Sequence, residues 1–145
     1  NVAVLDTGVD NEHETFGVYG DQEVRRFIAG MNCDGGCPTD DNGNYKFTTI
    51  KPGSYPWGNH HNAWRPAHIH FSIFGRSFVD RLVTQMYFEG DPLFKYDPIF
   101  NSIPDKKAQN RLIAKFSIDK TVPEFAHAYV FDIVLRGRQA TPMEV

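Results

Sequence analysis

Cysteine is nearly absent: the 145 residues hold two, Cys33 and Cys37, in the stretch Asn32-Cys33-Asp34-Gly35-Gly36-Cys37. Two thiols cannot fill a structural zinc site by themselves, and a small secreted disulfide scaffold carries more of them. The spacing implies a local disulfide or two free thiols in a glycine-rich loop. Basic blocks are missing as well. With 15 Lys and Arg against 18 Asp and Glu the net charge is -3, and nothing in the order of charges suits nucleic acid or an anionic membrane. No apolar run is long enough to span a bilayer, and the start is not of the secretory type. The expectation is a cytoplasmic protein with neither nucleic acid nor membrane among its partners. Its first residues, Asn1-Val2-Ala3-Val4-Leu5, read as a strand that begins abruptly, as though further chain preceded it.

What is plentiful points to strands and turns. Aromatic residues make up 14% of the chain, with 12 Gly and 9 Pro between them, a mixture that suits a loop-rich β protein. Val2 to Leu5 runs into the turn signal Asp6-Thr7-Gly8, residues 10–26 are polar without a helical stripe, and Phe27 to Met31 reads as a second strand. A turn region rich in Asp, Asn and Gly follows, from Cys33 to Gly43.

Beyond it the pattern sharpens. Tyr45 to Ile50 alternates as a half-buried strand does, and Pro52-Gly53 breaks it. A loop over residues 54–66 leads into a strand from Ala67 to Phe74, and Arg81 to Phe88 forms another. Asp91-Pro92, Asp97-Pro98 and Ile103-Pro104 punctuate a long excursion. Ala108, Leu112, Ile113 and Phe116 recur at helical spacing, which predicts a short helix over Asp105 to Phe116. Tyr129, Phe131, Ile133 and Leu135 alternate again, predicting a strand to Arg136. Strands parted by turns argue for a mainly β fold, an antiparallel β-sandwich.

The stretch that carries chemistry runs from Tyr55-Pro56-Trp57 to Trp64-Arg65-Pro66-Ala67-His68-Ile69-His70-Phe71. Residues two apart on a strand face the same way, so His68 and His70 present two imidazoles side by side while Ile69 turns away. That is a natural pair of metal ligands, although such a pair is by itself more often exposed polar residues or a hydrogen-bonded core pair. Tyr55, on the loop entering the strand, can fold back toward it. Its phenolate is a hard anionic donor that favours Fe(III). Arg65 is always protonated and would stabilise negative charge on a bound ligand. His60 and His61, adjacent in the loop, read as solvent-facing.

These segments resemble the intradiol catechol dioxygenases, and in particular their iron-binding β subunit. The likeness is carried by Gly43-Asn44-Tyr45-Lys46-Phe47, Thr49-Ile50-Lys51-Pro52-Gly53, Tyr55-Pro56-Trp57 and Trp64 to Ser72. It continues through Arg81 to Asp91, Pro98-Ile99, Phe131-Asp132-Ile133 and Leu135 to Arg138, and covers about residues 39–145. The resemblance implies an Fe(III) enzyme that opens a protocatechuate-like catechol ring between its two oxygenated carbons with O2, giving a muconate-type diacid. It implies Tyr55, His68 and His70 as iron ligands, Tyr55 and Arg65 as catalytic residues, and Trp57, Gln85 and Ile99 as lining of the substrate pocket. It also implies an α-type partner subunit or a homo-oligomer.

Two departures stand beside it. The family's second tyrosinate lies upstream in a motif this chain lacks; counting back without gaps lands near Phe16, and Tyr19 is the only tyrosine before Tyr45. The opening Val2-Ala3-Val4-Leu5-Asp6-Thr7-Gly8-Val9-Asp10 resembles instead the catalytic-aspartate strand of subtilisin-like serine proteases, and Pro38 to Gly43 the approach to their catalytic histidine. The histidine and the serine motif do not follow, so no triad assembles. A chimera, with residues 1–43 of separate origin and 44–145 forming the dioxygenase-like core, accounts for both likenesses; a dioxygenase with a drifted N-terminal part is the other account. Either leaves the sandwich incomplete on its N-terminal side, with exposed strand edges that favour a partner chain.

Overall fold

The computed structural model describes residues 2–3, 45–58, 60–74, 81–135 and 137–143. In chain order these form β1 (Val2–Ala3), β2 (Tyr55–Pro56), β3 (Trp64–Arg65), β4 (His68–Phe74) and β5 (Arg81–Phe88). A single 3-10 turn (Phe94–Tyr96) follows, then α1 (Pro98–Asn101), α2 (Lys106–Asn110), β6 (Ile113–Val122) and β7 (Ala126–Val130). The fold is mainly β. The strand expected over Phe27 to Met31, the Cys33–Cys37 turn, Phe16 and Tyr19 lie outside the described residues, as does the 1–43 segment apart from β1.

The chain divides into two compact units, Asn1–Ile50 with His70–Val83, and Lys51–Ile69 with Thr84–Val145. In the first, β1 pairs antiparallel with β4, Val2 opposite Ile73 and Ala3 opposite Ser72. Phe71 is fully buried, with the Tyr45 and Phe47 rings 6.1 and 6.0 Å from its own. The strand expected over Tyr45 to Ile50 is not continuous. Tyr45 makes a bridge, Tyr45 and Phe47 are half-buried about an exposed Lys46, and Thr48 to Ile50 lie in the open. The alternation is realised only where the aromatic rings find Phe71 to pack on; Ile50, 76% exposed, has no such surface.

In the second unit β2 and β3 form an antiparallel pair, Tyr55 opposite Arg65 and Pro56 opposite Trp64, closed by the Trp57 N–H donating to Ala63 O at 2.9 Å. Tyr87, Phe100 and Leu112 make the core, with Phe94, Ile103 and Ile113 packed against it. Phe94 stacks on Phe100 at 4.7 Å, and Tyr87 meets Phe100 edge-on at 5.1 Å. β5 and β6 pair in parallel, Tyr87 with Ile113 and Phe88 with Ala114. A parallel step needs a long crossover, and the excursion bearing α1 and α2 provides it. β6 then pairs antiparallel with β7, Phe116 opposite Tyr129, with a register shift between Ser117 and Val122.

Two sequence expectations need correcting here. The helix predicted over Asp105 to Phe116 ends at Asn110. Asp105 caps it by accepting from the Lys107 N–H at 2.9 Å, Arg111 closes it, and Ile113 onward is β6. The segment from Ile113 is rich in β-branched residues, and Leu112 is shared by both periodicities, so a helical spacing persisted by coincidence into a strand. The strand predicted over Tyr129 to Arg136 stops at Val130. Val134 is held by Thr141 instead, whose Oγ1 accepts the Val134 N–H at 2.9 Å and whose own N–H donates back to Val134 O at 2.8 Å. Phe131 is buried while Leu135 is exposed, so the two do not share one face.

Candidate functional site

The β2–β3 pair folds the Tyr55 loop back on the following strand, as the sequence implied. Tyr55 is half-buried, and its ring centre lies 5.9 Å from that of His68, at 44°. His68 is buried. Its Nδ1 stands 2.6 Å from Pro66 O, and a carbonyl oxygen can only accept, so Nδ1 carries the proton and Nε2 is the lone-pair nitrogen. A backbone carbonyl that fixes the tautomer in this way is the usual support of a ligating imidazole. Ala67, just before His68, is anchored too: its N–H donates to Asp91 Oδ2 at 3.2 Å, while Asp91 Oδ1 accepts from Leu93 N–H at 2.9 Å. His70, two residues along β4, belongs to the other unit and is half-buried there.

Arg65 is not an isolated cation. It is buried, and its Nε lies 3.3 Å from both Asp97 carboxylate oxygens. Its Nη2 donates to Gln85 Oε1 and to the Tyr87 hydroxyl at 3.3 Å. The Tyr87 hydroxyl in turn donates to Gln85 Oε1 at 2.9 Å. Among the described residues Nη1 has no hydrogen-bond partner. Asp97 is fully buried, and its Oδ1 also accepts the Ile99 N–H at 2.9 Å, capping α1 with Pro98 in its first turn. Burial, reinforced by the Asp97 charge and only partly opposed by Arg65, drives the Tyr87 phenol above its ordinary range. It therefore remains a neutral donor at any physiological pH.

The expected residues thus divide. Tyr55 and His68 stand together, and Arg65 and Gln85 meet in a hydrogen-bonded cluster. Trp57 lies against His60, ring centres 4.8 Å apart, and Ile99 stands in the first turn of α1. His60 and His61 are exposed, as read. Two residues were missed. Tyr87, whose ring is 5.8 Å from that of His68, joins the histidine to the Arg65 cluster, and Asp97 neutralises the arginine. The signals were present: Gln85 and Tyr87 are two apart on a strand and share a face, and Asp97 precedes a proline at a helix start.

Among the described residues no three His, Cys, Asp or Glu side chains converge as a metal group would need. A metal here would rest on a mixed phenol and imidazole set, which the fixed tautomer of His68 and the adjoining Tyr55 ring suit. No helix among the described residues is long and apolar enough to cross a membrane.

Comparison with known proteins points to one family. The Dioxygenase family model matches residues 9–137, a span that begins inside the protease-like stretch. The chain is 66% identical over 110 residues to the protocatechuate 3,4-dioxygenase beta chain of Burkholderia cepacia, covering 76% of this chain and 46% of that one. It is 36% identical over 115 residues to a chlorocatechol 1,2-dioxygenase of Pseudomonas putida, covering 70% and 39%. With a chlorocatechol 1,2-dioxygenase of Rhodococcus opacus it shares 39% over 72 residues, covering 41% and 27%. The chain spans less than half the length of these curated relatives.

Proposed function

The chain belongs to the dioxygenase family, and on that premise we propose that it is the iron-binding part of a non-haem Fe(III) intradiol dioxygenase. It acts on a catechol of the protocatechuate kind, with O2, to give a muconate-type diacid. Tyr55, His68 and His70 are the iron ligands of this proposal. The observation that carries it is His68, held by Pro66 O at 2.6 Å with Nε2 as its lone-pair nitrogen, beside the Tyr55 ring at 5.9 Å. Ferric iron supplies the Lewis acidity and electron-transfer capacity that make a chelated catechol reactive toward O2.

The chain's own residues do the rest. Tyr55, as the phenolate, would take up a proton from a catechol hydroxyl, and Arg65 would offer its Nη1 donors to a catecholate oxygen. Gln85, Trp57 and Ile99 line the substrate's side. An α-type partner subunit or a second copy completes the assembly. Cytoplasmic location and a separate origin for residues 1–43 belong to the same proposal.

A second reading is favoured by one observation, the missing upstream tyrosine motif: a chain that keeps the fold but completes no iron site. Reconstitution with ferric iron separates the two. The first expects bound iron and a visible tyrosinate-to-iron absorption that Tyr55→Phe weakens. A colourless protein that retains no iron sinks it.

A further inference from the structure

We propose that Asp97 is a positioning residue for Arg65, tying the guanidinium to the helix start that carries Ile99, so that the Nη1 edge is the one left for a ligand. The inference rests on the proposed function for what that ligand is, and on geometry alone for the device. A guanidinium carries five N–H donors, one on Nε and two on each Nη. Here the Nε edge is closed by the Asp97 carboxylate at 3.3 Å, and Nη2 is occupied by Gln85 and Tyr87. Three acceptors on two of its three nitrogens hold the planar group in one orientation.

The carboxylate is itself immobile. It caps α1 through the Ile99 N–H at 2.9 Å, and the Asp97 carbonyl accepts from Asn101 N–H at 3.0 Å and from Asn101 Nδ2 at 2.8 Å. One buried side chain therefore fixes two things at once, the direction of Arg65 and the place of Ile99. An ordinary helix cap has no need of a buried arginine, and an ordinary buried ion pair has no need to lie at a helix start. Asn in place of Asp would cap equally well, which isolates the charge from the cap.

The experiment is a double-mutant cycle over Asp97→Asn and Arg65→Gln in the iron-loaded chain, read as kcat and KM for 3,4-dihydroxybenzoate. It is joined to the water-exchange rate of the Arg65 Nε–H, followed by nitrogen-15 NMR in the metal-free chain. Asp97→Asn is expected to lower kcat/KM about tenfold in the parent and by less than about twofold beside Arg65→Gln, because coupled residues are not additive. It is also expected to speed Nε–H exchange about tenfold or more, a buried charge-assisted bond having been lost. An equal loss in both backgrounds overturns the inference, since the carboxylate would then act on the fold and not through Arg65. If the parent shows no turnover, the proposed function fails, and the exchange rate alone decides the device: a slow Nε–H freed by Asp97→Asn upholds it. Should Asp97→Asn fail to fold, a fast-exchanging Nε–H in the parent overturns it and a slow one upholds it.

Discussion

Tyr87→Phe removes one oxygen from the centre of the second unit and leaves every ring contact in place. The rings of Phe100 and Phe94, at 5.1 and 5.8 Å, would pack on phenylalanine as they do on tyrosine. What is lost is the hydrogen bond to Gln85 Oε1 at 2.9 Å and the acceptor for Arg65 Nη2 at 3.3 Å. Gln85 Oε1 keeps its bond from Arg65, so neither remaining partner is stripped bare. One neutral bond plus a long charge-assisted one is worth about 1.5 kcal/mol. With a urea slope of roughly 2 kcal/mol/M for a chain of this size, the midpoint should fall by about 0.7 M at pH 8.

Alkali gives the sharper test. The folded phenol titrates above its ordinary value of 10.0, so the folded state holds a proton that the unfolded state gives up. Stability from this group is fully present below the unfolded value and is lost as pH rises from there toward the folded value. The parent should lose on the order of 1 kcal/mol by pH 11 through Tyr87, whereas the Phe variant has no such proton to lose. The difference between the two should therefore narrow between pH 8 and pH 11. A variant as stable as the parent at pH 8, or a gap that stays constant to pH 11, refutes the assignment of the hydroxyl to a buried, neutral, bonded state.

Two simpler perturbations check the packing that carries this cluster. Leu112→Ala, in a side chain 4% exposed against Tyr87 and Phe100, should cost about 2–5 kcal/mol in urea unfolding; a loss under about 1 kcal/mol would show that the site collapses freely. Asp105→Ala should cost about 1 kcal/mol through loss of the α2 cap, and Asp105→Asn should restore most of it, both read by thermal unfolding.

Where the chain alternates, its sequence is a good guide to its strands. Arg81 to Phe88 and the run ending at Phe74 emerge with nearly the expected bounds because β-branched and aromatic residues fill them and turn residues flank them. Tyr45 to Ile50 has the same alternation, yet only the two aromatics with Phe71 to pack on are drawn in. Period is local information and burial is not. The same distinction explains the long helix that proved short: Leu112 suits either period, and only its tertiary neighbours decide. At the site, the residues of the proposal stand out in the sequence because Tyr, His and Arg are chemically distinct in any context. Tyr87 and Asp97 were not, because a strand tyrosine reads as packing and an Asp-Pro pair reads as a turn, until a partner far along the chain gives each a charge or a bond to answer.

That pairing alters what Arg65 can do. A bare cation 4 Å from an anionic oxygen is worth about 4 kcal/mol at an effective dielectric of about 20, and still about 2 at 8 Å. Place the Asp97 charge 3.3 Å behind the guanidinium nitrogen, in line, and the same sum falls to about 2 kcal/mol at 4 Å and about 0.6 at 8 Å. Half the attraction survives in contact, and less than a third survives one shell away. Arg65 therefore does not act as the standing positive field that its residue type suggests. On the proposed function it would act on the atom it touches, through its Nη1 donors, and its usefulness would depend on direction more than on charge, which is what a rigid carboxylate behind it would secure.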